Sequence, residues 1–151
     1  MTRALLGIPL LLLGSAAAFA APTAADVIKA RIASYRGLGA SLKAANDAIR
    51  SGDARSARLQ QSAAQIVAAS RRQYTLFPRG SGAAAGVKTA ARPEIWTRPG
   101  EFKSAQDAFA RQAAVFEKAV AAGDAGVVRS EARKLGAQCK GCHDAFRVAN
   151  D

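Results

Sequence analysis

The chain has few of the residues on which enzymatic and metal chemistry usually depends. Its 151 residues include one histidine, two cysteines and one methionine, and aromatic residues make up only 6%. One histidine and two cysteines cannot supply a closed zinc site with four cysteine or histidine ligands. A Ser-His-Asp or Cys-His catalytic site would have to use the same single histidine, His143.

Alanine dominates the remaining composition. There are 38 alanines, about a quarter of the chain, and alanine is the strongest helix former. Residues that favour strands, such as valine, isoleucine, threonine and tyrosine, are scarce, which disfavours an all-β fold. We therefore expect an all-α protein, and the length suits one domain.

The N-terminus has the pattern of a secretory signal peptide. A short basic start is followed by an apolar run from Ala4 to Leu13, and a small-x-small pattern ends at Ala20. The apolar run is too short to serve comfortably as a membrane anchor. We expect residues 1–20 to be a signal cleaved near Ala20, and residues 21–151 to be an exported, periplasmic domain without a membrane span.

The chain is also strongly basic. Lys and Arg number 22 against 11 Asp and Glu, giving a net charge of +11, and loss of the signal removes Arg3 and leaves +10. Such a charge suggests docking to an acidic partner, for example a redox partner, or to an anionic surface. The sequence contains no nucleic-acid motif, so we expect no nucleic-acid partner.

Four segments show the apolar period of amphipathic helices. They run from about Ala24 to Arg50, from Ala54 to Leu76, from Gly100 to Ala122 and from Asp124 to Ala149. Gly52 and Gly123 suit C-terminal caps, and Asp53 and Asp124 suit the N-caps that follow. These two short connections predict antiparallel helix pairs.

Residues 79–92 form the longest irregular stretch, which we interpret as a loop over one end of the fold. The predicted architecture is an antiparallel up-down-up-down four-helix bundle. Its apolar faces are rich in alanine. Either the helices approach very closely, or a group other than side chains fills part of the core.

The motif that carries chemistry is Cys-Lys-Gly-Cys-His, from Cys139 to His143. This C-x-x-C-H spacing is typical of covalent c-type haem attachment. On a helix both thiols and the imidazole project to one side, so Cys139 and Cys142 can form two thioethers while His143 ligates iron. A thioredoxin-like redox motif would follow a strand, and a zinc site would lack ligands. We expect one covalently attached haem c per chain, lying in the bundle core.

The chain resembles the class II c-type cytochromes, the cytochrome c prime family. The matching segments are Asp26–Arg31, Phe77-Pro78, Ala91–Trp96 and Cys139–Arg147, and the resemblance covers essentially the whole mature chain. It implies a four-helix bundle whose haem motif lies near the C-terminus. It also implies a homodimer, because members commonly pair through their first two helices.

The residue counts limit which side chains can serve as the sixth ligand of the iron. Electron-transfer cytochromes c use methionine or a second histidine there, but Met1 leaves with the signal and His143 is already used. By the resemblance, the distal position lies four residues after Arg31, at Tyr35. A neutral phenol is a poor ligand for ferrous iron, so we expect a five-coordinate, high-spin iron with Tyr35 lining an open distal pocket.

The resemblance and the spacing assign three further residues. Arg31 matches the family's arginine that pairs with a haem propionate, and we expect Thr89 to meet a propionate from the loop. Arg147, four residues after His143, should lie at the proximal side, where it could raise the reduction potential or limit access; a C-terminal arginine favoured by the helix dipole is the alternative.

An open iron site with a crowded distal side favours small neutral gases, and the resemblance implies binding of NO and CO. One-electron transfer is the alternative function. A peroxidase-like enzyme would need a distal base, and the sequence offers no evident one, so we expect no enzymatic activity.

Overall fold

The computed structural model describes residues 21–149, and the regular secondary structure of these residues is helical apart from one isolated bridge. The signal predicted at 1–20 lies outside the described residues. The α-helices are α1 Ala24–Arg50, α2 Ala57–Arg72, α3 Glu94–Thr97, α4 Pro99–Ala122 and α5 Ala125–Phe146. The long helices α1, α2, α4 and α5 form the bundle, and no helix in the described region is long and apolar enough to cross a membrane.

Helix α1 occupies the predicted range. It begins with a capping box, in which the Asp26 amide donates to Thr23 Oγ1 (3.2 Å) and the Thr23 amide donates to Asp26 Oδ2 (3.2 Å). The predicted N-cap of α2 at Asp53 was wrong. A turn after Gly52 uses residues 53–55, so Ser56 is the cap and accepts from the Leu59 amide (3.3 Å).

The connection between α4 and α5 agrees with its prediction. Gly123 ends α4 in the left-handed region, with φ of 74°. Asp124 then caps α5 by accepting from the Val127 amide (2.9 Å). Helix α5 ends at Phe146, earlier than predicted, because the Val148 amide leaves the helical path and donates to the Ala90 carbonyl (2.8 Å).

The core has two parts. The larger part lies between the four long helices, and the smaller part lies at the end where α3 covers the bundle. Ala45, Ala63 and Ala113 are nearly inaccessible to solvent in the larger part, so the helices approach closely there. Cys139 packs against the larger part and Cys142 against the smaller one, which places the C-x-x-C-H motif at their boundary.

Candidate cofactor site

Helix α5 carries the three residues of the motif in its last two turns. Cys139 and Cys142 are half-buried free thiols, and His143 is exposed. Burial raises the pKa of both thiols, and the neighbouring Cys139 raises that of Cys142 further. Both cysteines are therefore protonated at neutral pH. The described residues contain no group of three or more His, Cys, Asp or Glu side chains that could hold a bare metal ion.

Tyr35 lies on α1 close to this motif. Burial raises the pKa of its hydroxyl well above the usual 10.0; the nearby Cys142 and Cys139 raise it further, and Arg31 lowers it. Its ring packs edge-on against Phe77, with ring centroids 6.1 Å apart. Tyr35 is thus a neutral phenol, and no group in residues 21–149 accepts a hydrogen bond from it.

Arg31, one turn before Tyr35, is buried in a cage of loop residues. Nη1 donates to the Leu76 carbonyl (3.2 Å) and to Ser81 Oγ (3.0 Å), and Nη2 donates to the Ser81 carbonyl (2.8 Å) and to Thr89 Oγ1 (3.0 Å). All four terminal N–H groups therefore have protein acceptors. Burial lowers the pKa of Arg31, but an arginine stays charged.

Aromatic rings complete the Arg31 cage. The guanidinium carbon lies 4.7 Å from the centroid of Phe77 and 6.0 Å from that of Trp96, distances typical of cation–π contacts. The Trp96 indole N–H donates to the carbonyls of Phe77 (3.2 Å) and Pro78 (3.1 Å), which fixes the ring against the loop.

Arg147 follows α5 and is exposed. Partial desolvation of the ring lowers the pKa of His143 although the residue as a whole is exposed. The Arg147 charge lowers this pKa further, and Asp144 opposes the change. Arg147 pairs with Ala91 in the isolated bridge, and its amide donates to the His143 carbonyl (3.0 Å). The Arg147 charge therefore acts on the imidazole, and its place at the proximal side of a haem stays a prediction.

The structure thus places Tyr35 near the two cysteines, Arg31 one turn away from it, and Arg147 beside His143. Thr89 contacts Arg31. Sequence reasoning missed Ser81 and assigned no contact to Phe77. A Phe-Pro-x-Gly turn signal precedes Ser81, but no local pattern connects this serine to an arginine 50 residues away.

These residues fit a covalently bound haem. Two thiols and an imidazole lie on neighbouring positions of one helix, and a bulky phenol lies near them on α1. A buried guanidinium normally has an anionic partner, yet Arg31 makes no ion pair with any side chain of residues 21–149. A haem propionate would supply that charge.

Comparison with known sequences gives a consistent family. The profile described as Cytochrome C' matches residues 26–147. A cytochrome c' from Alcaligenes xylosoxydans xylosoxydans is 44% identical over 57 residues, covering 38% of this chain and 45% of the relative. One from Rubrivivax gelatinosus is 35% identical over 68 residues, covering 45% and 53%. The matched segments span about half the length of these relatives.

Similarity to solved structures covers more of the chain than the sequence matches do. A nitric oxide complex of a cytochrome c prime variant from Alcaligenes xylosoxidans has a TM-score of 0.74 and 26% identity, covering 84% of this chain and 98% of that one. The cytochrome c' of Rubrivivax gelatinosus has a TM-score of 0.75 and 25% identity, covering 83% and 98%. The helical order, the motif on α5 and these matches together show that the chain belongs to the cytochrome c' family, whose members carry haem.

Proposed function

We propose that the chain is a c-type haem protein with a five-coordinate, high-spin iron that binds NO and CO at its distal side. The observation that carries this proposal is Tyr35. A neutral phenol lies where α1 approaches the C-x-x-C-H motif, and neither methionine nor a second histidine occurs in residues 21–149. His143 is then the iron's one protein ligand.

The other residues have defined parts in this proposal. Cys139 and Cys142 hold the single haem as thioethers, and Arg31 meets a propionate beside Thr89. When bound, the haem supplies the iron at which a gas molecule or an electron is accepted. Tyr35 restricts the space opposite His143, which favours a diatomic molecule over larger ligands, and its free hydroxyl can donate a hydrogen bond to the gas.

Relatives support the gas ligand. Four of the solved structures similar to this chain are nitric oxide complexes of cytochrome c prime variants, one of them ferrous. Nitric oxide is bound in those proteins, and we extend the ligand class to this chain because the fold and the family are shared. We also propose export to the periplasm and a role without catalytic turnover.

Spectroscopy of the purified holoprotein tests the coordination state. Ferric and ferrous optical spectra and ferric EPR spectra, with and without CO, should show a high-spin iron and a large spectral change when CO is added. A ferrous spectrum that is low-spin, six-coordinate and insensitive to CO would overturn the proposal.

Two variants of Tyr35 test the distal side. Tyr35→Ala should open the pocket and raise the CO association rate by about an order of magnitude or more, a barrier change of at least about 1.4 kcal/mol. Tyr35→Phe keeps the bulk and should change mainly the CO stretching frequency, because only the hydroxyl is lost. Identical CO association rates in both variants and in wild type would show that Tyr35 does not line the ligand pocket.

Electron transfer is the second candidate function. His143 is exposed, with the basic side chains of Lys140 and Arg147 nearby on α5 and at its end. Such a surface suits docking of an acidic redox partner. The missing sixth ligand implies slower electron exchange, because the bonds of a five-coordinate, high-spin iron change length more on reduction than those of a six-coordinate, low-spin iron.

A further inference from the structure

The Arg31 guanidinium is held by residues far away in sequence. It is 4% exposed, and the four protein acceptors of its terminal N–H groups all come from the segment between Leu76 and Thr89. Every acceptor is neutral. The hydrogen bonds therefore satisfy the donors without cancelling the positive charge.

Ser81 provides two of the four acceptors. It is 1% exposed, and its Oγ accepts from Arg31 Nη1 (3.0 Å) while donating to the Pro78 carbonyl (2.8 Å). The Ser81 amide donates to the same carbonyl (3.2 Å), which closes a turn in which Gly80 has φ of 81°. Because this turn requires a left-handed residue, glycine sets the position of the serine.

Thr89 provides the acceptor at the other side. Its Oγ1 accepts from Arg31 Nη2 (3.0 Å) and from the Ala91 amide (3.2 Å). Hydrogen bonds to the local backbone therefore orient both hydroxyls. The loop presents Arg31 with acceptors that are themselves held by the loop.

A buried guanidinium stays buried only while its hydrogen-bond donors are satisfied, whether or not a haem propionate pairs with its charge. If acceptors are removed, the unsatisfied donors of the guanidinium find new hydrogen-bond partners when water enters the site or the side chain moves to solvent. Either change screens its charge from the interior. A positive charge close to a haem favours the reduced state, because reduction removes one positive charge from the iron.

We propose that Ser81 and Thr89 are positioning residues that hold the Arg31 charge at the cofactor site and thereby raise the reduction potential of the bound haem. This inference rests on the proposed haem function. It assigns to the loop a tuning role beyond anchoring of a propionate.

The test compares five single substitutions in the holoprotein. Ser81→Ala and Thr89→Val each remove one hydroxyl acceptor, whereas Thr89→Ser keeps it. Ser70→Ala is the matched control, because Ser70 is also 1% exposed and its Oγ donates to a backbone carbonyl, that of Val67 (2.8 Å), away from Arg31. Arg31→Gln gives the shift in potential expected when the charge is lost.

Two readouts are needed. Nitrogen-15 NMR should show slowly exchanging Arg31 Nη protons in wild type, Thr89→Ser and Ser70→Ala, and fast exchange in Ser81→Ala and Thr89→Val. Spectroelectrochemistry should show a lower reduction potential in Ser81→Ala and Thr89→Val, as in Arg31→Gln. The potentials of Thr89→Ser and Ser70→Ala should equal that of wild type. If far-UV circular dichroism shows that Ser81→Ala does not fold, the comparison of Thr89→Val with Thr89→Ser tests the inference.

Either of two results would overturn the inference: unchanged proton exchange in the hydroxyl-deleted variants, or faster exchange with an unchanged potential. Failure of the proposed function would look different. A chain that carries no covalent haem, or an iron that does not respond to CO, would contradict that function whatever the Arg31 protons do.

Discussion

At the scale of single residues, Tyr35 links the sequence to the chemistry. Counting from Arg31 identified this position, but the count could not give its surroundings. The structure shows a phenol near Cys139 and Cys142, packed against Phe77, with a hydroxyl that has no acceptor within residues 21–149. These contacts depend on how α1 faces α5, which no local pattern contains.

The two tyrosines should ionise late in an alkaline titration. Burial raises the pKa of Tyr35, and burial with the Asp107 hydrogen bond raises that of Tyr74. In the unfolded chain tyrosine ionises near pH 10. The folded state thus binds more protons above that pH, and the free energy of unfolding should fall as pH rises past about 10.

Absorbance at 295 nm checks this prediction when it is followed in wild type, Tyr35→Phe and Tyr74→Phe. The signal that remains in Tyr74→Phe belongs to Tyr35 and should appear at the highest pH, close to alkaline unfolding. A Tyr35 midpoint near pH 10 in the folded protein would mean that the phenol is solvated.

At the scale of elements, strong local signals placed most helix ends. The glycine cap at Gly123 and the N-cap at Asp124 act within a few residues, and both were predicted from the sequence. The start of α1 at Ala24 was also predicted, and the structure adds the capping box at Thr23 that fixes it. The end of α2 was predicted at Leu76 but lies at Arg72, and a 3₁₀ turn follows.

The reason for the earlier end of α2 is tertiary. The Gln73 side chain donates to the Gln106 carbonyl (3.0 Å), and the Gln106 side chain donates to the Gln73 carbonyl (3.2 Å). Both glutamines are buried, so these bonds satisfy groups that water does not reach. This exchange between α2 and α4 draws the chain out of the regular helix at Gln73, and a single segment cannot reveal it.

Two glycine substitutions should change stability in opposite directions. Gly123 has φ of 74°, and an added Cβ would lie 2.8 Å from Arg55 Nε, so Gly123→Ala should lower the free energy of unfolding by about 1–2 kcal/mol. Gly136 lies inside α5 with open space around it, so Gly136→Ala should raise it by about 0.5–1 kcal/mol. Urea unfolding of wild type, Gly123→Ala and Gly136→Ala measures the free energy of unfolding of each. The same change in both variants would contradict the role assigned to backbone conformation.

At the scale of the whole molecule, charge and packing have separate consequences. The chain has a net charge of +11, and most Lys and Arg side chains of residues 21–149 are exposed, Arg31 being the buried exception. The ion pairs found within these residues are all at least partly exposed. Pairs of this kind contribute little to stability. The charge therefore acts on encounters with other molecules more than on the fold.

Reduction of the ferric protein by a small anionic reductant should slow as salt is added, because screening weakens attraction to the basic surface. Arg147→Glu, beside His143, should lower the rate at low salt and flatten this dependence. Arg58→Glu on α2 changes the net charge equally but lies on a helix away from the motif, so it should have a smaller effect. Stopped-flow kinetics at several ionic strengths measure the rates, and equal slopes for both variants would contradict a local docking surface.

The sequence by itself determined the helical class, the antiparallel order, the C-x-x-C-H motif and the lack of a methionine or second histidine ligand in residues 21–149. Each of these depends on composition or on spacing within one helix or one turn. Only the tertiary structure decided which side chains surround the motif: Tyr35 from α1, and the loop that encloses Arg31 with Ser81 and Thr89. Those contacts join residues up to 58 positions apart, and they form because buried donors must find acceptors wherever the packed helices bring them.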